Sequence, residues 1–291
     1  MAGPLHFEVP TALDYFAMLV ADDASLALIE AAASIAQDAA PGLDVQAVLA
    51  QIDALGARLA RRVPADAVPL QRLRVLNRFF FDELGFAGNV NDYHDPRNSY
   101  LHEVLRSRRG IPITLAVLYV ELAQHIGLAA RGVSFPGHFL VKLRLAQGQR
   151  QGEVLIDPFT GHSLSREDLS EMLLPYRAQL GPGDDDEVPL GLFLQSASAR
   201  EVLARMLRNL KAIHRDEQDW ASLLAVQRRL VVLLPRDWDE RRDRGLAYAE
   251  LGCADEAADD LAAYLEHRPH AADADALAEQ LAALRRAARR R

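Results

Sequence analysis

The fold is decided by the stretch Arg109-Gly-Ile-Pro-Ile-Thr-Leu-Ala-Val-Leu-Tyr-Val-Glu-Leu-Ala-Gln-His-Ile-Gly127. Pro112 stands where a helix can begin, because the first helical residue does not need its N–H, and Gly127 stands where a helix of about 15 residues can end. The residues between them are apolar on nearly all sides. A helix of this kind is covered from several directions in a folded domain. The sequence therefore predicts a central, buried helix that begins at Pro112.

Three extended segments follow this helix. They are separated by the Pro136-Gly137 break and by a polar region over residues 145–151, and they span Ala129–Phe135, His138–Arg144 and Gly152–Asp157. Short apolar segments bounded by turn formers are typical of β-strands, and the last two predict a hairpin.

The hairpin register is predicted from its side chains. If Phe139 lies opposite Ile156, apolar residues face apolar residues, and Lys142 faces Glu153. The same register places His138 directly opposite Asp157. We therefore expect a contact between the imidazole and the carboxylate.

Helical patterns flank this core on both sides. Four amphipathic stretches precede it: roughly Thr11–Val20, Ser25–Gln37, Asp44–Arg62 and Val68–Leu84. From Ala197 onward the sequence is helical, and a proline repeats after 34 residues with small and aromatic residues between, as in a tetratricopeptide unit. The residues of this pattern are Pro235, Gly245, Tyr248, Ala257, Leu261 and Pro269.

The segment Gly181–Pro189 is rich in glycine, proline and acidic residues and predicts a linker. We therefore expect a helical N-terminal region with the core over residues 1–180, and helical repeats over residues 190–291.

Composition excludes several classes of protein. The chain has 291 residues, 50% hydrophobic and 25% charged, with a formal net charge of -8, and gives no general electrostatic attraction to nucleic acid or anionic lipid. Cys253 is the only cysteine, so an internal disulfide or a cysteine-rich zinc site is excluded. The start resembles no signal peptide, and Gly110–Val120, the longest uncharged apolar run, is roughly half the length that a bilayer requires. We expect a cytoplasmic protein without nucleic-acid or membrane partners.

Four short strings stand out: Asn98-Ser-Tyr-Leu, Arg109-Gly-Ile-Pro-Ile-Thr-Leu, Phe135-Pro-Gly-His-Phe-Leu and Ile156-Asp-Pro-Phe. Together they resemble the SirB-type family, in which a transglutaminase-like, papain-related domain precedes tetratricopeptide repeats. The resemblance covers roughly residues 30–270. It implies an α+β fold, with a transglutaminase-like core, N-terminal helices and a C-terminal α-helical tetratricopeptide-like array.

This chain departs from active transglutaminase-like enzymes at the nucleophile. In those enzymes a cysteine begins the central helix, a histidine begins a following strand, and an aspartate or asparagine ends the next. Here the cysteine position falls at Pro112, or at Ile111 or Ile113 if the alignment shifts by one. None of these side chains can attack a carbonyl, so the cysteine mechanism is closed to this chain.

Three interpretations of His138 and Asp157 remain open. In the first, Thr114 replaces the cysteine and His138 activates it. In the second, the pocket binds a polar or anionic group without turning it over. In the third, the two residues form a buried pair retained for the fold.

The resemblance also implies that the pocket is lined by residues around the central helix: Tyr93, Asn98, Ser99, Tyr100 and Pro112. We expect no metal and no other cofactor. His94 and His102 lie near acidic residues, but their spacing is not that of a metal site.

We therefore expect a non-catalytic scaffold or regulatory protein that binds a polypeptide or a small polar ligand through the repeat groove, the degenerate cleft, or both. The alternative is a hydrolase or acyltransferase that uses Thr114, His138 and Asp157. The sequence does not determine the oligomeric state. It also leaves open whether the chain's own N-terminus occupies the repeat groove.

Overall fold

A computed structural model describes residues 10–147, 150–177 and 189–288. These residues form two compact units. The core unit contains residues 28–36 and 44–206, and the repeat unit contains residues 10–27, 37–43 and those from 207 onward. Most of the predicted linker lies outside the described residues, and the predicted domain boundary there stays a prediction.

The described elements have the α+β order that the sequence predicts. In chain order they are α1 (Ala12–Leu19), α2 (Leu28–Ser34), α3 (Val45–Ala60), α4 (Pro69–Asn77), β1 (Ala87–Gly88), α5 (Leu101–Ser107), β2 (Arg109–Gly110), α6 (Pro112–His125), β3 (Ala129–Phe135), β4 (His138–Gln147), β5 (Arg150–Ile156), β6 (Ser163–Leu164), α7 (Arg166–Arg177), α8 (Ala199–Asp216), α9 (Trp220–Leu233), α10 (Trp238–Glu250), α11 (Ala254–His267) and α12 (Ala274–Ala288).

The fourth predicted N-terminal helix changes its winding near its end. It is α-helical only to Asn77, and Arg78–Glu83 form a π-helical turn. Phe79 and Phe80 within this turn are both fully buried, and the Phe80 ring stacks on Phe86 with the centroids 4.5 Å apart. The wider π turn brings two successive aromatic side chains into the interior, which the period of an α-helix alone does not predict.

The central helix α6 confirms the prediction made from its sequence. It begins at Pro112, and Gly127 follows its end with a φ of +69°. Eleven of its 14 residues are buried. It packs against α3, β3 and β4, so it is covered from both helical and sheet sides.

The larger sheet has the strand order β3-β4-β5-β6, with antiparallel neighbours. The β4–β5 hairpin is present, but the predicted register is wrong by two residues: Ile156 lies opposite Val141, not Phe139. The observed register still pairs apolar with apolar residues, because a shift of two keeps each side chain on the same face of the sheet.

The charged pairs of this hairpin explain the difference. Glu153 lies opposite Arg144 rather than Lys142, with the Arg144 Nε 3.2 Å from the carboxylate. Lys142 is instead buried and donates to the Leu194 carbonyl at 2.6 Å. The lysine therefore has a partner outside the hairpin, which pairing rules within the two strands do not include.

The repeat unit contains the consecutive helices α9 to α12, each packed on the next. Gly245 allows α10 and α11 to approach closely, because a Cβ at this position would lie 3.1 Å from that of Asp260. Tyr248, Ala257 and Leu261 are buried, as expected for the tetratricopeptide positions predicted from the sequence. The N-terminal helix α1 also belongs to this unit and packs against α9.

Candidate functional site

The predicted contact between His138 and Asp157 is present. His138 begins β4 and Asp157 directly follows β5, and the His138 Nε2 lies 2.8 Å from the Asp157 Oδ1. In the observed register the two are diagonal neighbours rather than directly opposite residues. Diagonal residues share one face of a sheet and lie within reach of long side chains. The contact therefore survives the error in the register.

The Asp157 carboxylate is fixed by the turn that follows it. Its Oδ1 also accepts the backbone N–H of Phe159 at 2.9 Å, and its Oδ2 accepts the Thr160 hydroxyl at 2.9 Å. The backbone closes the same turn, because the Gly161 N–H donates to the Asp157 carbonyl at 2.8 Å. An aspartate that accepts from the N–H two residues later is a common turn device, so the Asp157-Pro158 sequence itself signals this arrangement.

The turn is docked at Gly88 onto the two-stranded sheet formed by β1 and β2. The Gly88 N–H donates to the Phe159 carbonyl at 2.9 Å, and a Cβ at Gly88 would clash with the Phe159 ring. A glycine in β1 thus lets the Phe159 ring lie directly on the backbone. This contact helps to position Asp157 relative to His138.

The environment keeps Asp157 ionised. Burial alone would raise the pKa of Asp157, but the hydrogen bond and charge of His138, with the Phe159 N–H and the Thr160 hydroxyl, lower the pKa below its ordinary value. A carboxylate accepts only, so Nε2 of His138 donates to it. The His138 side chain retains 20% of its exposure.

Within the described residues, no nucleophilic atom at the start of α6 is hydrogen-bonded to His138. Pro112 is the first helical residue, and the neighbouring Ile111 and Ile113 are buried. Thr114 is fully buried, and its hydroxyl donates to the Asn98 carbonyl at 2.6 Å. The same O–H also faces the Ile111 carbonyl at 3.3 Å, as the longer arm of a bifurcated hydrogen bond. No hydrogen bond between Thr114 and His138 occurs in the described part of the chain.

The other predicted lining residues directly precede α5, and the Asn98 carbonyl lies at the start of α6. Their role in lining a pocket stays a prediction. Asn98, Ser99 and Tyr100 are all buried. The Asn98 side-chain amide donates to the Asp92 carbonyl at 2.7 Å and accepts from Asn89 at 3.0 Å. Asn98 therefore connects the preceding loop to α6 through both its side chain and its backbone.

Two ionisable residues near Asn98 in the sequence contact a charged neighbour. Asp95 binds the neighbouring Arg97, and the His102 Nε2 lies 3.4 Å from Glu103. Within residues 10–147, 150–177 and 189–288, no group of three or more histidine, cysteine and acidic residues is placed to hold a metal ion.

Two residues near the site, Tyr176 and Arg205, are not indicated by any sequence motif. A Cβ at Gly137, in the turn before His138, would clash with the Tyr176 hydroxyl. Arg205 donates from Nη1 to the Phe135 carbonyl at 3.2 Å, and Phe135 lies directly opposite His138. Neither residue belongs to the quoted motifs, and only the fold brings them to the turn between β3 and β4.

Comparison with known proteins places this arrangement in a family. Residues 46–208 match the transglutaminase-like superfamily, and residues 210–282 match the tetratricopeptide repeat. A UPF0162 protein of Xylella fastidiosa is 36% identical over 255 residues, which cover 87% of this chain and 88% of the relative. The chain belongs to this SirB-type (UPF0162) family.

Further members of the SirB-type family occur in other bacteria. UPF0162 proteins of Vibrio cholerae and Pseudomonas aeruginosa are each 31% identical, over 73% and 78% of this chain and 76% and 79% of their own length. No solved structure matches the chain. The family comparison and the structure confirm the predicted α+β fold, with a transglutaminase-like domain followed by helical repeats.

No helix in the described parts of this SirB-type chain combines the length and the apolar character needed to cross a membrane.

Proposed function

We propose that this protein is a non-catalytic scaffold or regulatory protein whose transglutaminase-like site binds a polypeptide. One observation carries the proposal: an imidazole held by an ionised carboxylate stands in a domain whose central helix begins with proline. His138 and Asp157 keep the base and its orienting partner. By the resemblance to active relatives, the position of the attacking cysteine falls at Pro112, or at Ile111 or Ile113 if the alignment shifts by one. A polar pair of this kind binds groups on a ligand through hydrogen bonds and charge, without forming a covalent bond to them.

The ligand-binding capacity rests on one ring nitrogen. Asp157 engages Nε2 of His138, and within the described residues Nδ1 has no hydrogen-bond partner. This fixed, partly exposed nitrogen accepts a peptide N–H when the ring is neutral and donates to a peptide carbonyl when the ring is protonated.

The repeats support a polypeptide as the ligand. Stacked helix pairs of the tetratricopeptide type form extended surfaces that bind protein segments. Residues 210–282 have this architecture directly after the transglutaminase-like region. The combination favours an interaction protein.

The alternative enzymatic function needs the Thr114 hydroxyl beside His138. That hydroxyl instead donates to the Asn98 carbonyl in a fully buried position. A threonine hydroxyl also has a far higher pKa than a thiol, so it needs a base in direct contact. The observed hydrogen bond therefore favours the binding function over the hydrolase or acyltransferase.

The proposal is tested by selecting peptides from a random phage-displayed library on the immobilised full chain. Enriched peptides are synthesised, and their dissociation constants are measured for the wild type, His138→Ala and His162→Ala. His162 is the matched control, because its exposed side chain belongs to the same Asp157 turn and makes no described contact. We expect His138→Ala to weaken binding about tenfold, which corresponds to about 1.4 kcal/mol.

Circular dichroism shows whether each variant keeps its fold. Equal affinity of the wild type and His138→Ala for every selected peptide would show that His138 takes no part in peptide binding. Failure to enrich any peptide would contradict polypeptide binding as a whole.

A further inference from the structure

Arg205 is held in one orientation at the β3–β4 hairpin. From α8, its Nη1 donates to the Ser134 hydroxyl at 2.7 Å and to the Phe135 carbonyl at 3.2 Å. The guanidinium carbon lies 5.7 Å from the centroid of the Phe139 ring, within the range of a cation–π contact. Two hydrogen bonds and one ring contact thus fix a side chain that is otherwise among the most mobile.

The opposite edge of this guanidinium is open. Nε and Nη2 of Arg205 have no hydrogen-bond partner among the described residues. Both atoms keep some exposure to solvent, because neither is among the buried nitrogens that lack a partner. No described carboxylate oxygen lies within 4.0 Å of the group. The edge formed by Nε and Nη2 is therefore available to a ligand.

The same edge is occupied in other arginines of this chain. Arg244 binds Asp260 with Nε and Nη2, at 2.6 and 2.7 Å. Arg208 binds Glu240 with Nε at 2.7 Å and Asp237 with Nη2 at 2.8 Å. In both cases the edge binds carboxylate oxygens, as its planar geometry favours.

Two tyrosines, Tyr93 and Tyr176, lie within electrostatic range of Arg205. Tyr176 places its hydroxyl against the backbone of Gly137, and the Tyr93 ring lies 5.9 Å from that of Phe159, whose N–H binds Asp157. Burial raises the pKa of Tyr93, so this hydroxyl is neutral at physiological pH. We call Arg205, Tyr93 and Tyr176 the Arg205 subsite.

The charge of Arg205 is not neutralised within the described chain. Burial lowers the pKa of Arg205, and no carboxylate of the described residues counteracts this effect. An arginine stays protonated at physiological pH even when its pKa falls. A partly desolvated cation without a counter-ion attracts an anion.

We propose that the Arg205 subsite binds a carboxylate group of the polypeptide ligand, through Nε and Nη2 of Arg205 and the hydroxyls of Tyr93 and Tyr176. This inference rests on the proposed function, since it names the chemical group that the site recognises. The planar edge matches the two oxygens of a carboxylate. A single positive charge balances the one negative charge of a carboxylate, whereas the phosphate dianion would keep an unbalanced charge.

The test is a titration of the isotope-labelled full chain, followed by NMR at the Arg205 Nε–H and the Gly137 amide. The probes are N-acetylglycine, which represents a peptide C-terminus, and N-acetylaspartate α-amide, which represents an acidic side chain. N-acetylglycinamide is the uncharged control. We expect saturable shifts with at least one carboxylate probe, with a dissociation constant on the order of 1 mM, and none with the amide. The carboxylate probe that binds more tightly identifies the source of the group.

Conservative variants test whether the carboxylate binds at the Arg205 subsite, because small substitutions are expected to preserve the fold. Arg205→Lys is expected to raise the dissociation constant about tenfold, and Tyr176→Phe about threefold, as for one lost hydrogen bond. Arg144→Lys is the matched control, because Arg144 is an exposed arginine of β4 whose charge is already paired with Glu153 of β5. It is expected to leave the titration unchanged.

Equal shifts with N-acetylglycine and N-acetylglycinamide, or no saturable shift with either carboxylate, would overturn the Arg205 subsite. Tighter binding of inorganic phosphate than of both carboxylates would overturn the assigned ligand class. If selected peptides still depend on His138 while the carboxylate probes fail, the proposed function stands and this inference falls. If the carboxylates bind but no peptide is selected, polypeptide binding fails and the anion subsite remains.

Discussion

Gly137 shows at the scale of one residue how the site depends on backbone freedom. It has a φ of +67°, a conformation that side chains with a Cβ adopt at a cost. The Tyr176 hydroxyl lies against this backbone, where a Cβ would stand. The absence of a Cβ therefore permits both the left-handed backbone of the turn before His138 and the close approach of the Tyr176 hydroxyl.

We predict that Gly137→Ala destabilises the protein by about 2–3 kcal/mol, from the left-handed conformation and the contact with Tyr176 together. Urea denaturation of both proteins measures the change in the free energy of unfolding. The control is Gly191→Ala, because a Cβ at Gly191 meets nothing within 4 Å. In a background of Tyr176→Ala the loss should shrink, since only the backbone strain remains. An equal loss in Gly137→Ala and Gly191→Ala would contradict this account.

The sequence predicts some residues of the site and not others. His138 and Asp157 are found because strand alternation and the family motifs both point to them. Arg205 has no such signal, since its role depends on the docking of a distant helix onto Ser134 and Phe135. Thr114 carries a nucleophile's functional group, but only the structure reveals that its proton is donated to a carbonyl.

At the scale of elements, the sequence predicts which segments are helices and strands better than how they pair. Proline and glycine mark the ends of α6 because each has a fixed backbone preference. Apolar alternation in β4 and β5 fixes the face of each side chain, but not the offset between the strands. The offset also depends on Lys142, which leaves the hairpin to bind the Leu194 carbonyl. Such tertiary contacts have no local pattern.

At the scale of the whole molecule, the N-terminal segment and the helical array share one compact unit. Arg229 of α9 joins them: its Nε donates to Asp38 at 2.7 Å, and its guanidinium lies 5.0 Å from the ring centroid of Phe16 in α1. The Arg229 side chain is 1% exposed, whereas that of Asp38 is 34% exposed. The sequence left open whether the N-terminus packs on the repeats, and in the structure α1 packs on α9.

This asymmetry of burial predicts an asymmetry of stability. Asp38→Ala leaves a buried cation without its partner and should cost about 3 kcal/mol. Arg229→Met removes that cation and leaves a carboxylate that water can reach, so its cost should be smaller. Urea denaturation of the two variants gives the comparison. A larger loss for Arg229→Met than for Asp38→Ala would contradict the role assigned to the ion pair.

The central claim is that the transglutaminase-like domain binds its ligand without forming a covalent bond to it. Intact-mass spectrometry after incubation with an activated acyl ester tests this claim most directly, with wild type, Thr114→Val and His138→Ala compared side by side. We predict that the three proteins give the same adduct pattern, because the Thr114 hydroxyl is buried and donates to Asn98. An adduct on Thr114 of the wild type that is lost in both variants would contradict the account.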